Sequence, residues 1–146
     1  MYCNHKPSAK AVVKGGEKHP EIHGEVLFYQ KKCAVLVSAR ISGLPENDSG
    51  FYAFHIHGGE TCKGEGFPET GGHFNPDGSP HPRHAGDLPP LLSFSGNAYL
   101  DVKTNRFRVR DIIGKTVIIH GGADDFRTQP SGGAGEKIAC GEIKRV

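Results

Sequence analysis

From Gly58 to about Pro90 the chain offers no run that could become a helix or a strand, because Gly and Pro recur throughout, while short apolar runs lie on both sides. A structureless stretch of roughly 30 residues inside a compact domain is costly and uncommon, and it usually marks a functional loop or one held by a metal. Metal-capable side chains gather at this same place. His73, His81, His84 and Asp87 lie within the stretch, His55 and His57 immediately precede it, and His120 ends an apolar run further on. Whatever fold forms must supply a rigid frame around a long, shaped loop.

The flanking runs read as strands. Residues 9–15 (AKAVVKG) and 22–30 (IHGEVLFYQ) are separated by the polar turn GEKHP, residues 33–41 (CAVLVSARI) close on the turn GLPENDSG, and residues 51–57 alternate. Beyond the loop, short strands are expected near 98–101, 107–109, 116–120 and 138–143, with a turn at Asp111-Ile-Ile-Gly and a second Gly-rich loop over 121–136. Seven or eight short strands, no 3.6-residue periodicity and no internal repeat describe an all-β chain, an antiparallel sandwich or barrel. Phe74, Phe94 and Phe107 read as core, and Gly43-Leu44-Pro45 as a connection at the end of the barrel. At 146 residues with no linker, the chain is expected to form one domain, 1–146, with its core over 9–143.

Composition removes several classes of function. The net charge of +2 is mild and the basic residues are scattered without aromatic platforms, so no nucleic-acid partner is expected. No apolar run approaches the length needed to span a membrane, and none is expected as a partner. A polar stretch follows Met1 and no apolar leader precedes Ala9, which favours a cytoplasmic location; removal of a signal peptide would instead place the protein outside the cytoplasm. The four cysteines form no CxxC pair, arguing against a thiolate zinc cluster. If the first two strands pair as a hairpin, Cys3 and Cys33 fall roughly opposite each other, where either a disulfide or two separate thiols is geometrically feasible.

The histidines carry the chemistry. Residues i and i+2 of a strand share a face, so His55 and His57 can approach one metal while Ile56 points the other way. Nitrogen-rich ligation without thiolate favours Cu(II) or Zn(II) over calcium. Seven donors are too many for one ion, but they make two four-coordinate sites if one imidazole bridges through both ring nitrogens. Spacing alone does not say which histidine bridges.

The segments FHIH (54–57), GGHFNPDGSPH (71–81), RHAGDL (83–88), TVIIHGGADD (116–125) and GGAGEKIACG (132–141) resemble the signature stretches of the copper/zinc superoxide dismutase family, and the resemblance runs from about Ala9 to Ile143. It implies an eight-stranded Greek-key β-barrel, an immunoglobulin-like sandwich, with a long zinc loop and a long electrostatic loop. It implies copper on His55, His57, His73 and His120, zinc on His73, His81, His84 and Asp87 with His73 bridging, and a disulfide between Cys62 and Cys140. Asp124 resembles the carboxylate that links a copper-bound to a zinc-bound histidine. The implied substrate is superoxide anion, dismutated in a ping-pong Cu(II)/Cu(I) cycle to dioxygen and hydrogen peroxide, with zinc structural. A homodimer is compatible with the resemblance, although no stripe in the sequence marks an interface. A noncatalytic copper or zinc carrier, or a domain that uses zinc alone, are the competing readings.

The chain departs from the family pattern at Lys137, between His81 and His84, and in the loop after His120. Lys137 stands where the family has an anion-guiding arginine, keeping the charge but not the planar fork, so slower turnover is expected. Arg127 is either a second guiding charge or a solvated loop residue. Only Pro82 and Arg83 separate His81 from His84, and the loop after His120 is short, so a wide copper mouth is expected. His5, His19 and His23 read as surface residues.

Overall fold

A computed structural model describes residues 6–146. Its strands follow from alternation. In β1 (Ala9–Gly15) Ala9, Ala11 and Val13 are buried while Lys10, Val12 and Lys14 face solvent. The same alternation buries Val26 and Phe28 of β2 (His23–Gln30), and Val35, Val37, Ala39 and Ile41 of β3 (Val35–Ser42). The remaining strands are β4 (Phe51–Tyr52), β5 (Phe54–His57), β6 (Leu91–Phe94), β7 (Asn97–Thr104), β8 (Thr116–His120) and β9 (Lys137–Arg145). Inward side chains of all nine meet in one cluster.

Every pairing is antiparallel, in the order β4-β6-β7-β3-β2-β1-β9-β8-β5. The two ends of that order, β4 and β5, are halves of the one expected strand 51–57, interrupted at Ala53. Ala53 turns its backbone to the far side, donating to the Gly122 carbonyl at 2.9 Å and accepting from His120 N–H at 2.9 Å. The sheet therefore closes on itself as a barrel, in which nine hydrogen-bonded segments are made by eight passes of the chain. The β3–β4 and β7–β8 connections pass over strands instead of joining neighbours, as in a Greek key.

Three local expectations change. Residues 107–109 are not a strand; α1 (Val109–Ile112) forms instead. Its buried residues Val109 and Ile112 are three apart, a helical spacing, and Asp111 Oδ2 accepts from Arg108 N–H at 2.8 Å, closing the first turn. β6 follows directly on Pro89-Pro90, whose loop character hid it. Phe94 is 82% exposed and not core, because in β6 it is Leu91 that points inward, whereas Phe107 is buried and Phe74 packs against the core as expected.

The long loop has its own anchor on the outside of the barrel. Phe67 packs with Ile118 and Cys140, and Cys62 is bonded to Cys140. This link spans 78 residues of sequence, and a loop of that size restricts the unfolded chain by about 4.5 kcal/mol in the chain-entropy account. Cys33 is exposed at the β2–β3 turn; Cys3, and with it the pairing of these two, lies outside the described residues, as does His5.

Candidate metal centre

All four residues of β5 are buried, because both of its faces are covered. Phe54 and Ile56 enter the barrel core, and His55 and His57 point outward beneath the loop. One edge of β5 pairs with β8; the other is taken by the loop itself. Phe74 N–H donates to the Ile56 carbonyl and Ile56 N–H to the Gly86 carbonyl, both at 2.8 Å. Gly86 is required there, since a Cβ would sit 2.2 Å from the Ile56 oxygen. This pairing sets His73 beside His57 and Asp87 beside His55, so the loop's donors are placed by backbone registry.

Hydrogen bonds then decide which ring nitrogen each histidine keeps free. Asp124 lies between two rings, its Oδ2 2.8 Å from His55 Nε2 and its Oδ1 2.8 Å from His81 Nε2. A carboxylate accepts, so both Nε2 atoms carry the proton and both Nδ1 atoms keep a lone pair. His57 Nδ1 donates to the Gly71 carbonyl at 2.7 Å and His120 Nδ1 to the Gly135 carbonyl at 3.1 Å, which leaves their Nε2 atoms free and 3.4 Å apart. Two nitrogens facing each other in this way repel unless a proton or a metal ion lies between them.

His55, His57, His73 and His120 form one donor group, with ligand atoms all within 4.8 Å of one another. A second group contains His73, His81 and Asp87, and His55 also falls within it because its ring centroid lies 4.0 Å from that of His73. His84 Nδ1 lies 3.1 Å from His73 Nδ1 and 3.3 Å from Asp87 Oδ2, so His84 adjoins this group, whose four members are His55, His73, His81 and Asp87. His73 Nδ1 is 2.7 Å from Asp87 Oδ1 while its Nε2 is buried without a partner among the described residues, as are His55 Nδ1 and His81 Nδ1. An unsatisfied buried polar atom costs about 1–3 kcal/mol. Three of them converging in one place fit metal ions as the partners.

A model of the family described as copper/zinc superoxide dismutase matches residues 22–143. This chain belongs to the copper/zinc superoxide dismutase family. A superoxide dismutase [Cu-Zn] 2 of Aquifex aeolicus is 34% identical over 142 residues, covering 85% of this chain and 80% of that protein. One of Legionella pneumophila is 33% identical over 133 residues, covering 86% and 80%. A copper chaperone for superoxide dismutase of Rattus norvegicus is 30% identical over 153 residues, covering 94% of this chain and 53% of the chaperone.

Like other proteins that hold metals through imidazole, this family member needs neutral rings. In chelator-stripped protein burial, followed by the neighbouring His73, pushes His55 down to about 2. Burial likewise brings His57 to about 2 and His120 to about 4, against the opposing pull of the Gly71 and Gly135 carbonyls. Burial acts to raise Asp87, but the hydrogen bond from His73 and the surrounding rings outweigh it, and the carboxyl is held below its usual range. Histidines in the unfolded chain titrate near 6.5, so below that pH the unfolded state binds more protons than the folded state and stability falls as pH falls. Each such ring contributes about 1.4 kcal/mol per pH unit. Urea denaturation of stripped protein is expected to lose several kcal/mol between pH 7 and pH 5; a midpoint that does not move over that interval would contradict this.

The four-histidine group opens on a mouth of about 440 Å³, with Lys137, Pro130, Ser131 and Asn75 at its walls. Lys137 does not extend freely into it. Its Nζ donates to Thr70 Oγ1 at 2.8 Å and to the Gly71 carbonyl at 3.1 Å, and burial lowers its pKa. Arg127 is not among the residues lining the mouth; its backbone N–H is tied to Asp125 Oδ1 at 2.8 Å. His19 is half-buried and His23 exposed, both outside the two donor groups. Sequence reading missed the carbonyls of Gly71 and Gly135, and missed Gln129 and Arg106, which bind the backbone around His81 and His84. A backbone acceptor has no side-chain signature, and neither Gln129 nor Arg106 sits in a motif that would have singled it out.

Proposed function

We propose that this protein dismutates superoxide to dioxygen and hydrogen peroxide, with copper held by His55 Nδ1 and the Nε2 atoms of His57, His73 and His120, and zinc held by Asp87 and the Nδ1 atoms of His73, His81 and His84. The observation that carries this reading is His73, which offers one ring nitrogen to each donor group. Copper in such a nitrogen set supplies one-electron redox chemistry between Cu(II) and Cu(I).

The protein's own part is placement and proton handling. His73 Nε2, buried at the floor of the mouth, is the atom at which a proton can be held and passed to a forming peroxide. In the metal-free protein Asp87 holds the opposite nitrogen of that ring, and Gly71 and Gly135 hold His57 and His120 with their lone pairs inward. Lys137 provides the positive charge at the entrance. Carbonyls and a hydroxyl hold its ammonium at the rim, where it attracts an anion without blocking the path. The carrier reading made from the sequence, to which the chaperone relative also points, is disfavoured because all four histidines of the redox set are present and converge.

The deciding experiment measures copper and zinc content together with superoxide consumption on reconstituted protein. Stoichiometric uptake of both metals without dismutation would defeat the reading. For Lys137, K137A is expected to lower kcat/KM about tenfold and to flatten its dependence on salt, because electrostatic steering is worth at least that factor on the on-rate. K137R is expected to match or exceed the native rate. Equal rates for all three proteins at low and moderate salt would remove Lys137 from the guiding role.

A further inference from the structure

Gln129 lies 48 residues from His81 in sequence, in the loop that follows β8, yet its side-chain amide satisfies both backbone groups of that histidine. Its Oε1 accepts from His81 N–H at 2.8 Å and its Nε2 donates to the His81 carbonyl at 2.7 Å. This is the exchange a neighbouring strand would make, supplied here by one side chain. The same loop grips the His81 ring through Asp124 Oδ1, at 2.8 Å from Nε2. His81 is thus fixed at its N–H, its carbonyl and one ring nitrogen, and its remaining nitrogen, Nδ1, is buried, without a hydrogen bond and 3.0 Å from Asp87 Oδ2.

The brevity of the excursion makes this hold necessary. Two residues, Pro82 and Arg83, separate His81 from His84, and the segment's internal bonds are Arg83 N–H to the Pro80 carbonyl, Asp87 N–H to the His84 carbonyl and His84 N–H to Asp87 Oδ2 at 2.9 Å, none of which holds the N–H or carbonyl of His81. Arg106 takes the carbonyls of Pro82 and His84 from the other side, at 2.8 and 3.2 Å. The orientation of His81 in so short a segment is therefore set by partners outside it, and such partners commonly govern metal affinity by about 10–100-fold.

We infer that Gln129 is a positioning residue for the second donor group: by clamping the His81 backbone it aims His81 Nδ1 and raises the affinity of the group for zinc. The inference rests on the reading of that group as the zinc site. Because Gln129 adjoins Pro130 and Ser131, which line the mouth, the same two hydrogen bonds join zinc occupancy to the wall of the anion entrance.

The test compares native protein with Gln129→Met, which preserves length and bulk but removes both hydrogen bonds, and with Gln129→Ala. Stripped proteins are titrated with zinc against a competing chelator, then with Co(II), whose visible absorption reports the geometry of the ligand set; melting of the stripped forms is recorded alongside. Both variants are expected to bind zinc about 10- to 100-fold more weakly and to show an altered Co(II) spectrum, with little change in melting of the stripped protein. Native affinity and spectrum in Gln129→Met would overturn the inference, as would weakened binding that tracks lost stability of the stripped form with an unchanged spectrum. Failure of the native protein itself to bind zinc would instead defeat the zinc reading beneath it.

Discussion

His120→Ala is expected to reduce superoxide consumption by more than about 100-fold while zinc uptake persists, since loss of a direct ligand should exceed the 10–100-fold effect of losing a supporting partner. His120 ends β8 at a shift of register with β9, and its Nε2 faces His57 Nε2 at 3.4 Å. Alanine leaves His55, His57 and His73 in place, so a copper ion would lose one of four nitrogens. The second donor group shares no atom with His120. Metal analysis after reconstitution should therefore find zinc near its native content and copper depleted or loosely held. Full activity in His120→Ala, or loss of zinc equal to that of copper, would contradict the division into two donor sets.

Asp124→Asn is expected to weaken both sets together, by about 10–100-fold in affinity for each metal. The native carboxylate accepts from His55 Nε2 and His81 Nε2, and its Oδ1 also accepts from Phe126 N–H at 2.8 Å. An amide has one oxygen. Its NH2 would face an imidazole N–H on one side, forcing one ring either to turn or to change tautomer and withdraw its Nδ1 lone pair. Gly132 admits the group only because it has no side chain: with φ at 76°, a Cβ there would lie 2.0 Å from Asp124 Oδ1. Competition titrations with copper and zinc on separately stripped samples measure the effect. A loss confined to one metal would show that Asp124 supports only one of its two histidines, and no loss in either would remove it from the metal centre.

Much of the barrel was legible because alternation is a local signal. β1, β2 and β3 carry their inward residues at every second position, and their expected bounds stand close to the observed ones; β8, buried on both faces, was legible as a continuous apolar run. The failures occurred where local pattern and tertiary role diverge. Residues 51–57 alternate as one strand, but closure of the barrel requires Ala53 to change partners from β6 to the β8 side, a demand that arises only when the sheet curls. Val109 and Ile112 belong to a turn of helix whose short length leaves almost no periodicity to detect.

The residues by themselves determined the donor chemistry: six histidines and an aspartate around a loop that could not otherwise pay for its length, and an HxH strand whose two rings must share a face. They also determined that one ring had to serve both groups if two four-coordinate sites were to form. The tertiary structure decided which nitrogen of each ring is offered. That choice depends on what occupies the opposite nitrogen, and the occupants are Asp124 and the carbonyls of Gly71 and Gly135, brought in by β5 edge pairing and by the loop after β8. Tautomer and aim are set by partners distant in sequence, so they exist only once the barrel has closed and both loops lie against its outer face.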